Sequence, residues 1–191
     1  EESGVLFHQG LKMFYLGEFP QAREYFKRTV SRDRKNDAAF YYLAQIAGYA
    51  GQWEESGEYL DKALRLDPGN YWYRLQQAKL AVAAGKTQEA GLLYENLWRD
   101  YPDKTELLYD RIALYMDGHN AEKALELLDT LEGREGVTES GVLLRFNLTI
   151  DRDKEAARTL LREYATHTPT PRVLCLLGDL EAGDGETEKA G

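Results

Sequence analysis

Three glycines recur in this chain at an interval of 34 residues. Two prolines and three small residues keep the same interval, so the full set is Gly17, Gly51, Gly85, Pro68, Pro102, Gly10, Ala44 and Ala78. An interval shared by three kinds of residue indicates a tandem repeat, and this length is typical of a helix–turn–helix unit. The chain is therefore expected to be built from stacked helical hairpins.

The pattern within one repeat predicts two helices and a turn. In the second repeat, apolar residues lie three or four positions apart, first from Phe40 to Ala47 and then from Leu60 to Leu64, which marks one face of each helix. Gly51 stands between the two faces, where a glycine can adopt a positive φ. Asp67 precedes a proline and therefore ends the second helix.

The second repeat, DAAFYYLAQIAGYAGQWEESGEYLDKALRLDPGN, resembles the tetratricopeptide repeat. The residues that carry the resemblance are Phe40, Leu43, Ala44, Gly51, Ser56, Leu60, Ala63 and Pro68. The resemblance covers the whole chain and is closest over 3–104. It implies an all-α solenoid, a right-handed superhelix of about 5.5 repeats and about 11 helices. We therefore expect one array over 1–191, with repeats at about 3–36, 37–70, 71–104, 105–136 and 137–170 and a truncated repeat at 171–191.

Net charge disfavours nucleic acid as a partner. The chain carries −9, and a phosphate backbone is bound mainly through cationic side chains. One local cluster is basic although the chain is acidic, and its members are Arg23, Lys27, Arg28, Arg32, Arg34 and Lys35. We interpret this cluster as a solvated outer face, with anion binding as the alternative. No apolar run approaches the length of a membrane span, so membrane insertion is not expected.

The residues that usually carry chemistry are scattered. His8, His119 and His167 belong to different repeats, and none has a neighbour at metal-ligand spacing. No nucleophile motif or phosphate-binding glycine loop is present. The single cysteine, Cys175, stands among leucines and is predicted to be a packed thiol. We predict no catalytic residue, no metal site and no cofactor.

The resemblance also implies where a ligand would bind. In these repeats the first helix of each hairpin, helix A, lines a concave groove, and certain positions of helix A point into it. The residues at those positions, our candidate partner-binding set, are Tyr41, Tyr42, Gln45, Tyr49, Trp72, Gln76, Lys79, Glu106 and Tyr109. Aromatic residues with a polar end are enriched at protein interfaces. Packing against the next helix A is the alternative role for the tyrosines.

One ligand mode of the family is not carried over. Many of its members hold a C-terminal carboxylate with lysine, arginine and asparagine at fixed positions. Those positions are occupied here by Phe7, Leu11, Tyr42, Trp72 and Gln76, none of which matches.

Two functions follow from the resemblance. The first is a non-enzymatic scaffold or adaptor that holds a peptide or a helix of an unidentified protein in the concave groove. The second is the recognition or regulatory arm of a larger protein, an enzyme among the options, that continues beyond residue 191. The chain begins at Glu1 without methionine, so either a leader was removed or these residues are a piece of a longer protein. The compartment therefore stays open between the cytoplasm and, if a leader was removed, the periplasm or cell envelope.

The incomplete sixth repeat carries its own expectations. A turn at Gly185 should begin its second helix, and the given sequence stops inside that helix. Leu174, Leu177 and Leu180 would then lack the helix that should cover them. We expect this hairpin to be mobile or covered by a neighbouring molecule, with self-association through this end as one outcome.

Overall fold

The computed structural model describes the backbone of residues 2–190 and the side chains of residues 2–183. Within that part the chain forms eleven helices and no strand, which confirms the predicted all-α class of helical-repeat solenoids. The helices are α1 Ser3–Tyr15, α2 Phe19–Arg32, α3 Asp37–Tyr49, α4 Trp53–Leu66, α5 Tyr71–Ala83, α6 Thr87–Asp100, α7 Glu106–Asp117, α8 Ala121–Glu135, α9 Glu139–Thr149, α10 Lys154–His167 and α11 Pro171–Ala190.

The helices of the first three repeats begin at the same 34-residue interval that the sequence shows. Helices α1, α3 and α5 begin at Ser3, Asp37 and Tyr71, and their partners α2, α4 and α6 begin at Phe19, Trp53 and Thr87. Helix α4 ends at Leu66, immediately before Asp67 and Pro68, as predicted. Each of the three hairpins therefore repeats the same local structure.

The turn glycines have the backbone conformation that the sequence predicts. Gly17, Gly51 and Gly85 adopt φ values of 79°, 71° and 73°, in the left-handed region that favours glycine. In the fourth repeat the glycine comes one position early, at Gly118, whose φ is −78°. The left-handed conformation falls on His119 instead, at φ 54°, so the turn keeps its position although the glycine has moved.

The chain divides into two compact units, Glu1–Asp103 and Lys104–Gly191. The boundary falls where the resemblance to the repeat weakens. The packed helices α8 and α9, by contrast, are joined by the short connection 136–138. Phe26, Leu43 and Leu60 lie in the core of the first unit. The core of the second is formed around Phe146 and Leu161.

Small residues let the two helices of a hairpin approach closely. Gly10 in α1 faces the ring of Phe26, and a Cβ built on Gly10 would lie only 2.6 Å from Cε1 of that ring. In the next hairpin the buried Ser56 donates a hydrogen bond of 2.7 Å to the backbone oxygen of Ala44. Larger residues at these positions would overpack the interface between the helices.

Two expectations for the last helix are wrong. Cys175 is exposed rather than packed, because the buried face of α11 follows Val173, Leu177 and Leu180. The predicted turn at Gly185 is not formed, and α11 continues to Ala190. Residues 181–190 contain no proline to break the helix. Leu177 and Leu180 pack against the second unit's core, whereas Leu174 is exposed.

Replacing Gly85 by alanine should lower the free energy of unfolding by about 1–2 kcal/mol. A Cβ at Gly85 would meet no atom within 4 Å, so the loss comes from the positive φ alone. Gly133, inside α8, also has open space around a Cβ, and alanine there should raise stability by about 0.5–1 kcal/mol. Urea denaturation of both variants checks the prediction, and equal effects of the same sign would contradict it.

The reverse substitution is expected to help at the fourth turn. His119→Gly should raise the free energy of unfolding by about 0.5–1 kcal/mol, because glycine adopts a positive φ without steric cost. His119→Ala is the matched control, since it removes the imidazole but keeps the Cβ. A gain from alanine equal to that from glycine, measured by thermal denaturation, would show that the side chain and not the backbone is the cause.

Candidate functional site

A groove of about 500 Å³ lies in the first unit between helices α3 and α5. We call it the A-helix groove. Side chains from both helices and from the first residue of α4 line it: Tyr41, Gln45, Gly48, Tyr49, Trp53, Trp72, Leu75, Gln76, Lys79, Leu80 and Ala83. Six of the nine candidate residues are among them, so positions that are distant in sequence meet on one surface.

Three aromatic residues of the A-helix groove are exposed to solvent. Tyr49 is 66% exposed, Trp72 60% and Trp53 41%. Tyr49, the last residue of α3, contacts Phe14 and Phe19, with ring centroids 6.3 and 5.4 Å away. Large exposed rings that gather on one surface are typical of a binding site, whereas single exposed rings scattered over a surface are normal.

Tyr41 both lines the groove and packs between α3 and α5. Its ring lies 4.9 Å from that of the buried Tyr73 on α5, and its hydroxyl accepts a hydrogen bond of 2.7 Å from Gln45. Burial raises the pKa of Tyr41 above its usual value, and the neighbouring Tyr49 adds to the shift. This residue holds α3 against α5 while one edge of it lines the groove.

Tyr42 is the one candidate of the first unit that the groove does not include. Its ring stacks on Phe26 at 5.2 Å and 10°, and its hydroxyl lies 3.1 Å from that of Tyr15. Burial and the hydrogen bond with Tyr15 raise the pKa of Tyr42. Successive residues of a helix point about 100° apart, so Tyr42 packs against α1 and α2 while Tyr41 reaches the groove.

Besides the tyrosine hydroxyls, the polar lining of the A-helix groove consists of two amides and a single cation. Gln45 and Gln76 supply the amides, and Lys79 is exposed. Among the described residues that line this groove, none is acidic, although the chain as a whole carries a net charge of −9. Lys79 therefore gives the groove a local positive charge on an acidic molecule.

The remaining two candidates belong to the second unit. Glu106 begins α7, and Tyr109 lies one turn further along the same helix. Tyr109 donates a hydrogen bond of 2.8 Å from its hydroxyl to Oε2 of Glu135, which raises the pKa of Tyr109, with burial as the second cause. Their participation in partner binding stays a prediction.

Trp53 was missed by the sequence reasoning, which looked only at positions of helix A. It is the first residue of α4 and follows the turn at Gly51. Gly51 has a positive φ in the turn before α4, and the indole of Trp53 lines the groove. The sequence did contain a signal, because the residue two places after the turn glycine is Phe19 in the first repeat and Trp53 in the second.

The basic cluster on α2 is partly neutralised. Arg23 forms a two-point ion pair with Glu55 at 2.6 and 2.7 Å, which joins α2 to α4. The cluster's other members are exposed: Lys27, Arg28, Arg32, Arg34 and Lys35. In the part of the chain that the structure describes, no helix combines the length and apolar character that crossing a bilayer requires.

Two family models, both described as tetratricopeptide repeat, match residues 9–71 and 81–136, and together they cover more than half of the chain. A curated relative, the TPR repeat-containing protein BH2049 of Halalkalibacterium halodurans, is 30% identical over 84 residues. That match spans 44% of this chain and 38% of the relative. The aligned residues therefore span less than half of each protein.

Solved structures of the same fold are similar over nearly the whole chain. YrrB, reported as a TPR protein with an unusual peptide-binding site, aligns with a TM-score of 0.69 and 12% identity over 91% of this chain and 90% of its own. The protein pilF of Pseudomonas aeruginosa aligns with a TM-score of 0.68 and 17% identity over 98% of this chain and 90% of its own. At these identities the likeness establishes the fold.

Proposed function

Since the chain belongs to the tetratricopeptide repeat family, whose fold is a protein–protein interaction scaffold, we propose that it is a non-enzymatic adaptor whose A-helix groove holds a segment of another protein. The exposure of Trp72 beside Tyr49 and Trp53 is the observation that carries this proposal. Large rigid rings that remain in water give binding energy when a partner covers them.

The residues that line the A-helix groove indicate which kind of partner segment would bind there. Apolar or aromatic side chains of the partner would pack against Trp72 and Leu75, and the amides of Gln45 and Gln76 would bind its backbone. Lys79 favours a carboxylate on the partner, because the groove presents no acidic side chain among its described lining residues. An extended peptide or a helix with apolar and acidic residues meets these requirements.

A random peptide library displayed on phage tests this proposal. Selection on the native chain should return peptides rich in aromatic or leucine residues, and the amide resonances of α3 and α5 should shift when such a peptide is added. The variant Leu92→Ala should bind the selected peptides like the native chain, because Leu92 is exposed on α6 and lies outside the groove. Selected peptides that shift only resonances outside α3 and α5 would contradict the proposal.

The charge of the groove gives a second, independent readout. Lys79→Glu should change the selected peptides from acidic to basic and should weaken binding of the original peptides about tenfold, because like charges then face each other. Thermal stability should not change, since Lys79 is exposed. Identical peptide selections by both proteins would show that Lys79 does not contact the ligand.

A second candidate function is the recognition or regulatory arm of a larger protein. The complete open reading frame distinguishes the two functions, since a catalytic motif outside these residues would favour an arm, whereas repeats throughout would favour an adaptor.

A further inference from the structure

Trp53 also lines a second groove, of about 480 Å³, between α4 and the α5–α6 hairpin. We call it the B-helix groove. Its wall on α4 presents Glu54, Glu58 and Asp61, and its apolar lining includes the buried Leu60 and the partly exposed Leu80. The A-helix groove and the B-helix groove therefore share Trp53 and Leu80 but differ in charge.

A glycine keeps the apolar floor of the B-helix groove open. Gly57 lies inside α4, where glycine is less favourable than alanine. A Cβ at this position would lie 3.8 Å from Cδ2 of Leu80, which is ordinary van der Waals contact. Alanine would therefore fit, but a longer side chain at this position would project into the groove. Because residue 57 has no side chain, Leu80 stays accessible to a ligand.

The carboxylates of the groove lack cationic partners. Glu54, Glu58 and Asp61 follow one another at intervals of four and three residues, so they share a face of α4 and repel one another. Within the described part of the chain none of the three forms an ion pair. The one cation in the lining, Lys86, pairs with Glu89 at 3.4 Å. A cationic ligand would relieve this repulsion.

We propose that the B-helix groove is a second docking site, and that it takes a basic segment of a partner protein in which arginine or lysine alternates with apolar residues. The apolar side chains would cover Gly57 and Leu80, and the cations would pair with the carboxylates of α4. Long basic side chains suit such a surface, because their stems cover apolar atoms while their charged ends reach the carboxylates. The proposal does not depend on the A-helix groove being functional.

A synthetic peptide of alternating leucine and arginine is the probe, and the same peptide with glutamate in place of arginine is its control. Addition of the arginine peptide to the isotope-labelled chain should shift amide resonances of residues 54–61 and 80–89, and added salt should weaken the binding. The glutamate peptide should leave those resonances unchanged.

A charge-neutralised variant tests the carboxylates directly. E54Q/E58Q/D61N should weaken binding of the arginine peptide about tenfold, as expected for the loss of three exposed ion pairs. The matched control is E18Q/E95Q/D103N, which removes the same charge from exposed positions outside the groove. Its affinity should stay close to that of the native chain, and an equal loss in both variants would overturn the proposal by showing that net charge alone attracts the peptide.

A steric variant leaves the charges intact. Gly57→Leu should block the groove and abolish binding, whereas Gly57→Ala should bind like the native chain. Unchanged binding by Gly57→Leu would overturn the proposal, as would an arginine peptide that shifts residues 41–49 and 72–76 of the A-helix groove instead. Concentration-dependent shifts of residues 54–61 without any peptide would also overturn it, because the occupant would then be a second copy of this chain.

Discussion

Truncation of Phe26 to alanine is expected to lower the free energy of unfolding by about 3–5 kcal/mol. The ring is fully buried, lies 5.8 Å from that of Phe7 and stacks on Tyr42 at 5.2 Å. It joins the first hairpin to helix α3, so its removal leaves a cavity where two repeats meet. Urea denaturation followed by circular dichroism measures the loss, and a loss below 1.5 kcal/mol would mean that the site collapses around the smaller residue.

A second substitution identifies the close contact as the cause. Gly10→Ala should destabilise the native chain by about 1–3 kcal/mol, because its Cβ would lie 2.6 Å from the ring of Phe26. In the Phe26→Ala background the same change should stabilise by up to about 1 kcal/mol, since only the higher helix propensity of alanine remains. Gly69→Ala is the control in both backgrounds, because a Cβ there meets no atom within 4 Å.

The regular part of this fold could be predicted because each feature depends on local geometry. The glycine interval predicts turns that need a positive φ, and the apolar spacing predicts the helix faces that pack on each other. His119 shows the limit of this reasoning. Packing of α7 on α8 requires the same turn, and the chain forms it with a residue that the pattern did not mark. Cys175 shows another limit, because a run of leucines does not say which of its two faces is buried.

The candidate groove was harder to predict, because adjacent residues of a helix can have different roles. Tyr41 and Tyr42 have the same side chain and are both partly buried, but Tyr41 packs on α5 and lines the groove, whereas Tyr42 packs on Phe26 of α2. Trp53 enters the groove from a helix that the family pattern assigns to the outer face. Both outcomes depend on contacts between repeats, and one repeat read alone does not contain them.

Trp72→Ala is expected to weaken binding of a groove peptide at least tenfold, because a central aromatic residue of an interface typically contributes about 2 kcal/mol or more. The melting temperature should stay unchanged, since the indole is 60% exposed. Tyr41→Ala should instead lower the free energy of unfolding by about 1–2 kcal/mol, because it loses the ring contact with the buried Tyr73. Calorimetric titration and thermal denaturation of both variants give the two quantities separately.

The double variant decides between the two roles of the tyrosines. If Tyr41 only packs, the affinity of the folded double variant should equal that of Trp72→Ala, and the whole additional effect should appear in stability. If the edge of Tyr41 also touches the ligand, affinity should fall further, and the two losses should couple because both rings line one groove. A Trp72→Ala variant that binds like the native chain would remove the basis of the A-helix groove assignment, because the most exposed ring of α5 would then contribute nothing to binding.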